Sequence, residues 1–349
     1  MERKVSEVKY SFIVPVFNRP DEVDELLESL CSQTQKDFEV VIVEDGSKKP
    51  CKDVCDKYAS ILDLHYYYKD NSGPGQSRNY GVERACGDYV IILDSDVVLP
   101  TGFLQAVDSE LMANSQEPNA IAAWGGPDAA HPSFTPVQKA ISYSMTSFFT
   151  TGGIRGGKAK LDKFYPRSFN MGIRRDVYLE LGGFSKMRFG EDIDFSYRIV
   201  EASYKPRLFP EAWVWHKRRT DFRKFFRQVY NSGIARINLE KRHPGTLKLV
   251  HLLPMVFTLG VIGSLLGTVI SAFFCPLLSL LFLTPLILYS LIIFVDSSIR
   301  NRSLWVGMLS VPAAFVQLMG YGLGFIESWW KRCVLKQDEF TAFEKNFYK

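Results

Sequence analysis

Hydrophobic and polar positions change rhythm repeatedly along the first half of the chain. Residues 11–17 (Ser-Phe-Ile-Val-Pro-Val-Phe) read as a strand, closed by the turn Asn18-Arg19-Pro20. Over residues 21–31, Leu26, Leu27 and Leu30 recur at helical spacing, and the leading acids suit the positive end of a helix dipole. Residues 38–43 form a second strand ending in Glu44-Asp45-Gly46-Ser47. A polar helix over 51–59 and a strand over 62–68 follow. This βαβαβ opening predicts a parallel sheet with right-handed crossovers. Residues 71–79 (Asn-Ser-Gly-Pro-Gly-Gln-Ser-Arg-Asn) open a helix running to about Cys86. Tyr89-Val90-Ile91-Ile92-Leu93 shows no alternation, as a central strand covered on both faces requires, and it stops at Asp94-Ser95-Asp96. A helix over 102–113, a strand over 120–126 and a strand ending at Trp213-Val214-Trp215-His216 are also expected. Residues 135–149 are amphipathic and aromatic, which fits a core helix better than one lying on a membrane surface.

Beyond residue 248 the rhythm gives way to three apolar stretches, 249–274, 276–295 and 304–326, each long enough to cross a bilayer. Bases outnumber acids over 205–248, including Lys217-Arg218-Arg219, Arg223-Lys224, Arg227 and Lys241-Arg242. Such a belt suits an anionic cytoplasmic leaflet. Arg300 and Arg302, and then Lys331 and Arg332, both read as cytoplasmic, which three full crossings do not permit. Either one stretch is re-entrant or the charge rule fails. The glycine-rich stretch 321–325 also fits close helix packing.

With 349 residues and a net charge of +4, the chain can bury a substantial core in one or two domains. Residues 1–10 are charged and lack an apolar core segment, so no signal peptide is expected. Neither Gly-x-Gly-x-x-Gly after the first strand nor Gly-x-x-x-x-Gly-Lys-Ser/Thr occurs, which argues against dinucleotide enzymes and P-loop ATPases. The six cysteines are scattered, and Cys51 and Cys55 lack a second pair to complete a zinc site, so reduced thiols are expected.

Candidate chemistry gathers where strands end, because open α/β sheets bind ligands beyond the carboxyl ends of their strands. Asp94 and Asp96, two apart, point the same way in extended chain. One can reach a ribose while the other holds Mg²⁺ or Mn²⁺ with a substrate diphosphate; a plain Asp-Ser-Asp turn is the alternative. Phe17, Asn18 and Arg19 can wall a base, Asp45 can accept from its N–H, and Arg78, in the first turn of its helix, can bind a phosphate oxygen. Taken singly, each also fits an ordinary turn or a solvated cation. Their convergence on one rim with Asp94 and Asp96 is harder to obtain from turns alone. Glu191 and Asp192 begin a helix, where a cap or a base for an acceptor hydroxyl is expected, and Asp194 and Arg198 can pair across one turn. His216 is a metal ligand or a structural histidine. Residues 151–160, rich in Gly and bases, suggest a loop able to close over a diphosphate.

Assembled in order, these pieces resemble the family-2 glycosyltransferases of the GT-A fold. The resemblance rests on residues 13–19, Ser32-Gln33-Thr34, residues 41–47, 71–79, Asp94-Ser95-Asp96, Asn170-Met171-Gly172, Gly182-Gly183-Phe184 and residues 190–194, and covers 10 to about 218. It implies an α/β, Rossmann-like, mainly parallel sheet flanked by helices, which the apolar stretches then follow as transmembrane helices, and inverting transfer from a nucleotide sugar, with uridine the preferred base and guanosine possible. By resemblance Pro15, Phe17, Asn18, Arg19, Asp45, Arg78, Asp94, Ser95 and Asn170 bind the donor. Asp96 and His216 hold Mg²⁺ or Mn²⁺, and Asp192 is the general base with Glu191 beside it. Glu44 departs from the Asp found in many members. The absence of a clear Gln-x-x-Arg-Trp disfavours a processive synthase.

The resulting expectation is a cytoplasmic GT-A domain over 1–220, a basic juxtamembrane helix over 221–248, two or three transmembrane helices over 249–326 and a tail over 327–349. The enzyme is expected to be multi-pass in the cell membrane. Its acceptor would be a lipid-linked glycan or surface polysaccharide, its other partners membrane lipids, with no nucleic acid. Two rivals stand beside this reading: transfer onto a polyprenyl phosphate, and a non-catalytic membrane scaffold that keeps a nucleotide-binding fold.

Overall fold

The βαβαβ opening forms as β1 (Tyr10–Val16), α1 (Pro20–Cys31), β2 (Phe38–Asp45), α2 (Lys52–Tyr58) and β3 (Leu64–Lys69) in a computed structural model. The structure describes residues 9–114, 121–152 and 164–342. α3 (Pro74–Val82), β4 (Tyr89–Leu93), β5 (Val97–Val98), α4 (Phe103–Ala113), β6 (Ala123–Gly125) and β7 (Asp128–Ala129) follow. After α5 (Pro136–Thr146) and α6 (Phe148–Thr151) come β8 (Asn170–Arg174), α7 (Arg175–Glu180), α8 (Glu191–Glu201), β9 (Arg207–Leu208) and β10 (Val214–His216). Four long helices close the chain: α9 (Phe222–Arg242), α10 (Leu253–Ala272), α11 (Pro276–Asn301) and α12 (Leu304–Trp329). From residue 153 onward, the loop expected over 151–160 lies outside the described residues.

The described residues fall into two compact units, one within Met1–His131 and Leu161–Lys217, the other within Pro132–Lys160 and Arg218–Lys349. All ten strands belong to the first. Its main sheet has the order β3-β2-β1-β4-β8-β6-β9, with β1, β2, β3 and β4 mutually parallel and β8 antiparallel to both β4 and β6. Reversal of β8 puts Asn170, its first residue, opposite Leu93, the last of β4. A three-stranded sheet β5-β10-β7 pairs His216 with Val97, one residue past Asp96.

Alternation along the buried strands builds two core layers. Phe12, Val14, Val40, Ile42, Ile91 and Leu93 face α1 and α4, whereas Ile13, Val41, Val43, Val90 and Ile92 face Val82, Phe195 and Ile199. Each fully buried aliphatic or aromatic side chain contributes roughly 1.5–3 kcal/mol. Gly172 is required where β6 crosses it, because a Cβ there would enter the indole of Trp124, its register partner. That indole is wholly buried and stacks on Phe209 at 5.4 Å.

In the second unit, α5 is a core helix, as its aromatic pattern suggests. Ile141 and Met145 pack with Phe225 and Val229 of α9, and the Tyr143 hydroxyl donates to Asp296 of α11 at 2.6 Å. Three helical stretches, Leu249–Ala272, Pro276–Asn301 and Leu304–Val334, are long and apolar enough to cross a membrane.

Candidate active site

β1, β2, β3 and β4 all end at one edge of the main sheet, and each hands the chain to a polar loop there. Asn18, at φ 56°, accepts from the N–H groups of Lys48 (2.7 Å) and Lys49 (3.0 Å), while its own N–H donates to Ser47 Oγ (2.7 Å). Asn tolerates this left-handed conformation better than most residues. Glu44, fully buried, accepts from the Cys51 N–H at 2.7 Å and from the Ser47 hydroxyl. The Glu that departs from the family pattern is therefore a loop anchor.

Asp45 is also drawn inward. Its Oδ1 accepts from Lys69 Nζ (2.6 Å) and the Ser72 N–H (2.8 Å), and its Oδ2 from the Gly73 N–H (2.9 Å). Asp45 thus organises the loop ahead of α3, and any base contact it makes starts from this arrangement. Lys69 was not singled out from the sequence. The parallel register that pairs Asp45 with Lys69 is the signal that could have found it.

Asp94, Asp96 and His216 come together, offering ligand atoms that all lie within 4.8 Å of one another. His216 Nε2 is 3.3 Å from Asp96 Oδ1, and its ring stacks on Phe169 at 4.9 Å. The other ring nitrogen, Nδ1, is 3.9 Å from Asp128 Oδ2, too long for a hydrogen bond but close enough for the carboxylate's charge to act on the imidazole. Two carboxylates and an imidazole with an outer carboxylate fit a divalent cation. Arg19 Nη1 pairs with Asp96 Oδ2 at 2.7 Å, so Arg19 faces this cluster as well as the loop beside β1.

Arg78 links the cluster to the start of α8. Nearly fully buried, it donates from Nη2 to Asp94 (2.7 Å) and from Nη1 to Glu191 (2.9 Å), with its guanidinium over the Phe184 ring at 5.2 Å. The phosphate contact expected of it competes with these two carboxylates. Burial first, and then the neighbouring Asp192 charge, pushes the Glu191 carboxyl up to about 7. Burial would also raise Asp192, but Arg167 Nε, 2.6 Å from its Oδ2, overrides that and holds the carboxyl below the usual aspartate range. Adjacent acids in the first turn of one helix therefore differ in protonation at neutral pH.

Arg167 was missed because it lies in irregular chain just before β8, where no periodicity marks it. Its segment is tied down by Ser196 Oγ, which donates to the Pro166 carbonyl at 2.6 Å. Asp194 and Arg198 make the expected pair at 3.2 Å, and Arg198 also donates to the Leu181 carbonyl (2.7 Å). The remaining expected residues occupy supporting positions. Pro15 pairs with Val43 inside the sheet, and Ser95 is buried between the two aspartates. The Asn170 amide donates to the Ala212 carbonyl (2.8 Å), bracing the segment that leads to β10 and His216.

A mainly parallel sheet with paired aspartates at its carboxyl edge and an acidic helix start beside them is the architecture of GT-A glycosyltransferases. Residues 11–182 match the family model "Glycosyl transferase family 2", and through this domain the chain belongs to that family. It is 30% identical over 200 residues to an uncharacterized glycosyltransferase of Haemophilus influenzae, covering 56% of this chain and 64% of that one. It is 29% identical over 118 residues to a cholesterol galactosyltransferase of Borreliella burgdorferi, covering 34% and 33%. Its fold is similar to that of a mannosyltransferase from Pyrobaculum calidifontis, solved with GDP-Man and Mn²⁺, at a TM-score of 0.62 and 16% identity over 92% of this chain and 88% of the other. The chain spans less than two thirds of the length of the curated relatives it matches.

Proposed function

We propose that the protein is an inverting glycosyltransferase that moves a sugar from a nucleotide diphosphate donor, preferably a UDP-sugar, to a hydroxyl of a lipid-linked or surface glycan. The observation that carries this reading is the cluster of Asp94, Asp96 and His216, joined through Arg78 to Glu191 and Asp192. A divalent cation held by Asp96 and His216, with Asp94 beside them, would neutralise the diphosphate as it leaves. Asp192, kept ionised by Arg167, accepts the proton of the acceptor hydroxyl. The acceptor oxygen bonds to the anomeric carbon as the bond to the diphosphate oxygen breaks, so the configuration inverts and the nucleoside diphosphate departs with the electron pair. Arg78 holds Asp94 and Glu191 at fixed separation, which aligns donor and acceptor sides.

The domain reading follows the same line. Residues 1–220 act as the cytoplasmic transferase, save that α5 and α6 pack within the second unit, with 221–248 as a basic helix at the leaflet surface and 249–326 as the anchor. The apolar helices and the basic belt before them support a membrane-bound acceptor, and so does the cholesterol named as substrate of the Borreliella relative.

The test is nucleotide release by the purified full chain with a panel of UDP- and GDP-sugars, Mn²⁺ or Mg²⁺ and added polyprenyl lipid. Metal-dependent release of one nucleotide is expected, lowered by two to three orders of magnitude in Asp96→Ala. Nucleotide binding without the metal, and equal turnover in Asp96→Ala, would refute the assignment. An acid-labile, phosphate-containing product would move the acceptor from glycan hydroxyl to polyprenyl phosphate.

A further inference from the structure

We propose that only α10 and α11 cross the bilayer, and that α12, although long and apolar enough to span, begins and ends on the face from which α10 enters. The first observation is what covers α12. Of its most apolar window 44% is buried, against 11% and 6% for the stretches containing α10 and α11, and no residue between 313 and 328 is exposed. Much of that cover is α9. Gly320 faces Val229 and Phe226, Gly324 lies against the Tyr230 backbone, and Gly233 of α9 lies against the backbone of Tyr321 and Phe325. Ser328 Oγ donates to the Ile234 carbonyl at 3.1 Å. Positions on the two helices rise together, so α9 and the second half of α12 run parallel and side by side.

α9 is not a helix that hydrocarbon would accept. It carries Arg223, Lys224, Arg227, Arg236, Lys241 and Arg242 within 21 residues, and such a helix belongs at the membrane surface. The half of α12 locked along it shares that depth.

The tail gives an independent observation. Trp330–Val334 continue α12 as a π-helical turn, after which the chain reverses near Lys336 (φ 53°) and runs along α9 in the opposite direction. Arg242 pairs with Glu339 at 2.9 Å, and Asn238 donates to the Phe340 carbonyl at 3.3 Å. The buried Asn231 amide both donates to the Ala342 carbonyl (3.1 Å) and accepts its N–H (2.9 Å). Residues 339–342 are therefore on α9's face of the membrane.

Parity then decides the crossings. α10 leaves α9's face and forms an antiparallel hairpin with α11, with Ser271 and Ser279 hydroxyls 3.0 Å apart near its tip. Phe273 and Phe274 at that tip are 82% and 84% exposed. α11 returns to Arg300, where α12 starts back against it through Ser297 and Ser310 (2.6 Å) and then Tyr289 and Phe315 (5.7 Å). Farther along, Gly322 of α12 meets Pro254 and Thr258, the first turns of α10, and not the hairpin tip. Two crossings place Arg300, Arg302, Lys331 and Arg332 on one face, which removes the conflict that three crossings create. The inference does not depend on which donor the enzyme uses.

Two native, exposed cysteines lie where the alternatives differ: Cys275 at the hairpin tip and Cys333 after α12. In sealed vesicles carrying the full chain, variants keeping only Cys275, only Cys333 or only an introduced Ser303→Cys are labelled with a membrane-impermeant maleimide before and after permeabilisation. Two crossings put Cys333 and position 303 on one face and Cys275 on the other, with labelling at least tenfold apart. Cys333 labelling with Cys275, opposite position 303, would establish three crossings and overturn the proposal; all three on one face would overturn it as well. Mapping Cys275 and Cys333 by mass spectrometry in the unsubstituted chain gives the same readout should the cysteine-depleted variants fold poorly.

Discussion

Replacing Arg167 with Gln tests how the site divides labour between its two adjacent acids. Arg167 Nε sits 2.6 Å from Asp192 Oδ2, with side chains 37% and 11% exposed. At an effective dielectric of about 20 such a charge pair is worth roughly 4 kcal/mol. Water around the partly exposed arginine reduces that to about 1–3 kcal/mol. Without the arginine, burial dominates, and the Asp192 carboxyl moves from below its ordinary range to above it. The assay is kcat/KM for nucleotide release against pH, plotted as the ratio of variant to wild type so that titrations common to both cancel. The ratio should be nearly level at alkaline pH and fall progressively as pH drops through the raised pKa, towards tenfold per unit. A ratio that drops equally at every pH would mean that Arg167 only positions the loop, or that Asp192 is not the base.

Three further changes probe the scaffold. Glu191 favours its protonated form in the fold, so its contribution to stability is full below its unfolded value of 4.5 and is lost as pH rises through about 7, roughly 3 kcal/mol in all. Glu191→Gln should therefore flatten the fall in stability between pH 5 and 8 in denaturant melts, and an unchanged slope would place the shift elsewhere. Gly172→Ala drives a methyl into Trp124 and should cost about 1–3 kcal/mol, read as a lower Tm; an unchanged Tm would mean that β6 and β8 can separate freely. Lys69→Met frees one side of Asp45 and should raise donor KM about tenfold with kcat little changed, a split that equal losses in both would contradict.

Strand ends were the legible part of this molecule. Long apolar runs fixed β1, β2 and β4, and parallel connections then forced residues 17–19, 45 and 94–96 onto one edge. The two-residue strands β5 and β7 carry too little pattern to be seen, yet their pairing with β10 is what brings His216 to Asp96. Expected ligands such as Asp45 and Asn170 turned out to have backbone partners, because a polar residue at a strand end can face the loop or the ligand and sequence does not distinguish the two. Arg167 and Lys69 were invisible for the opposite reason: each is an ordinary cation until the fold sets a carboxylate beside it. At the membrane end, hydropathy marked α12 as apolar but could not distinguish cover by lipid from cover by α5 and α9.

Arg19, Arg78 and Arg167 each face one or two of the four rim acids, Asp94, Asp96, Glu191 and Asp192. With Glu191 titrating near neutrality, the mouth carries little net charge. A cluster of acids facing solvent would repel an incoming diphosphate and make capture depend steeply on ionic strength. Built with its counter-charges in place, this mouth should admit the donor at a rate that salt barely alters, and losing any one arginine would turn capture into an uphill electrostatic encounter.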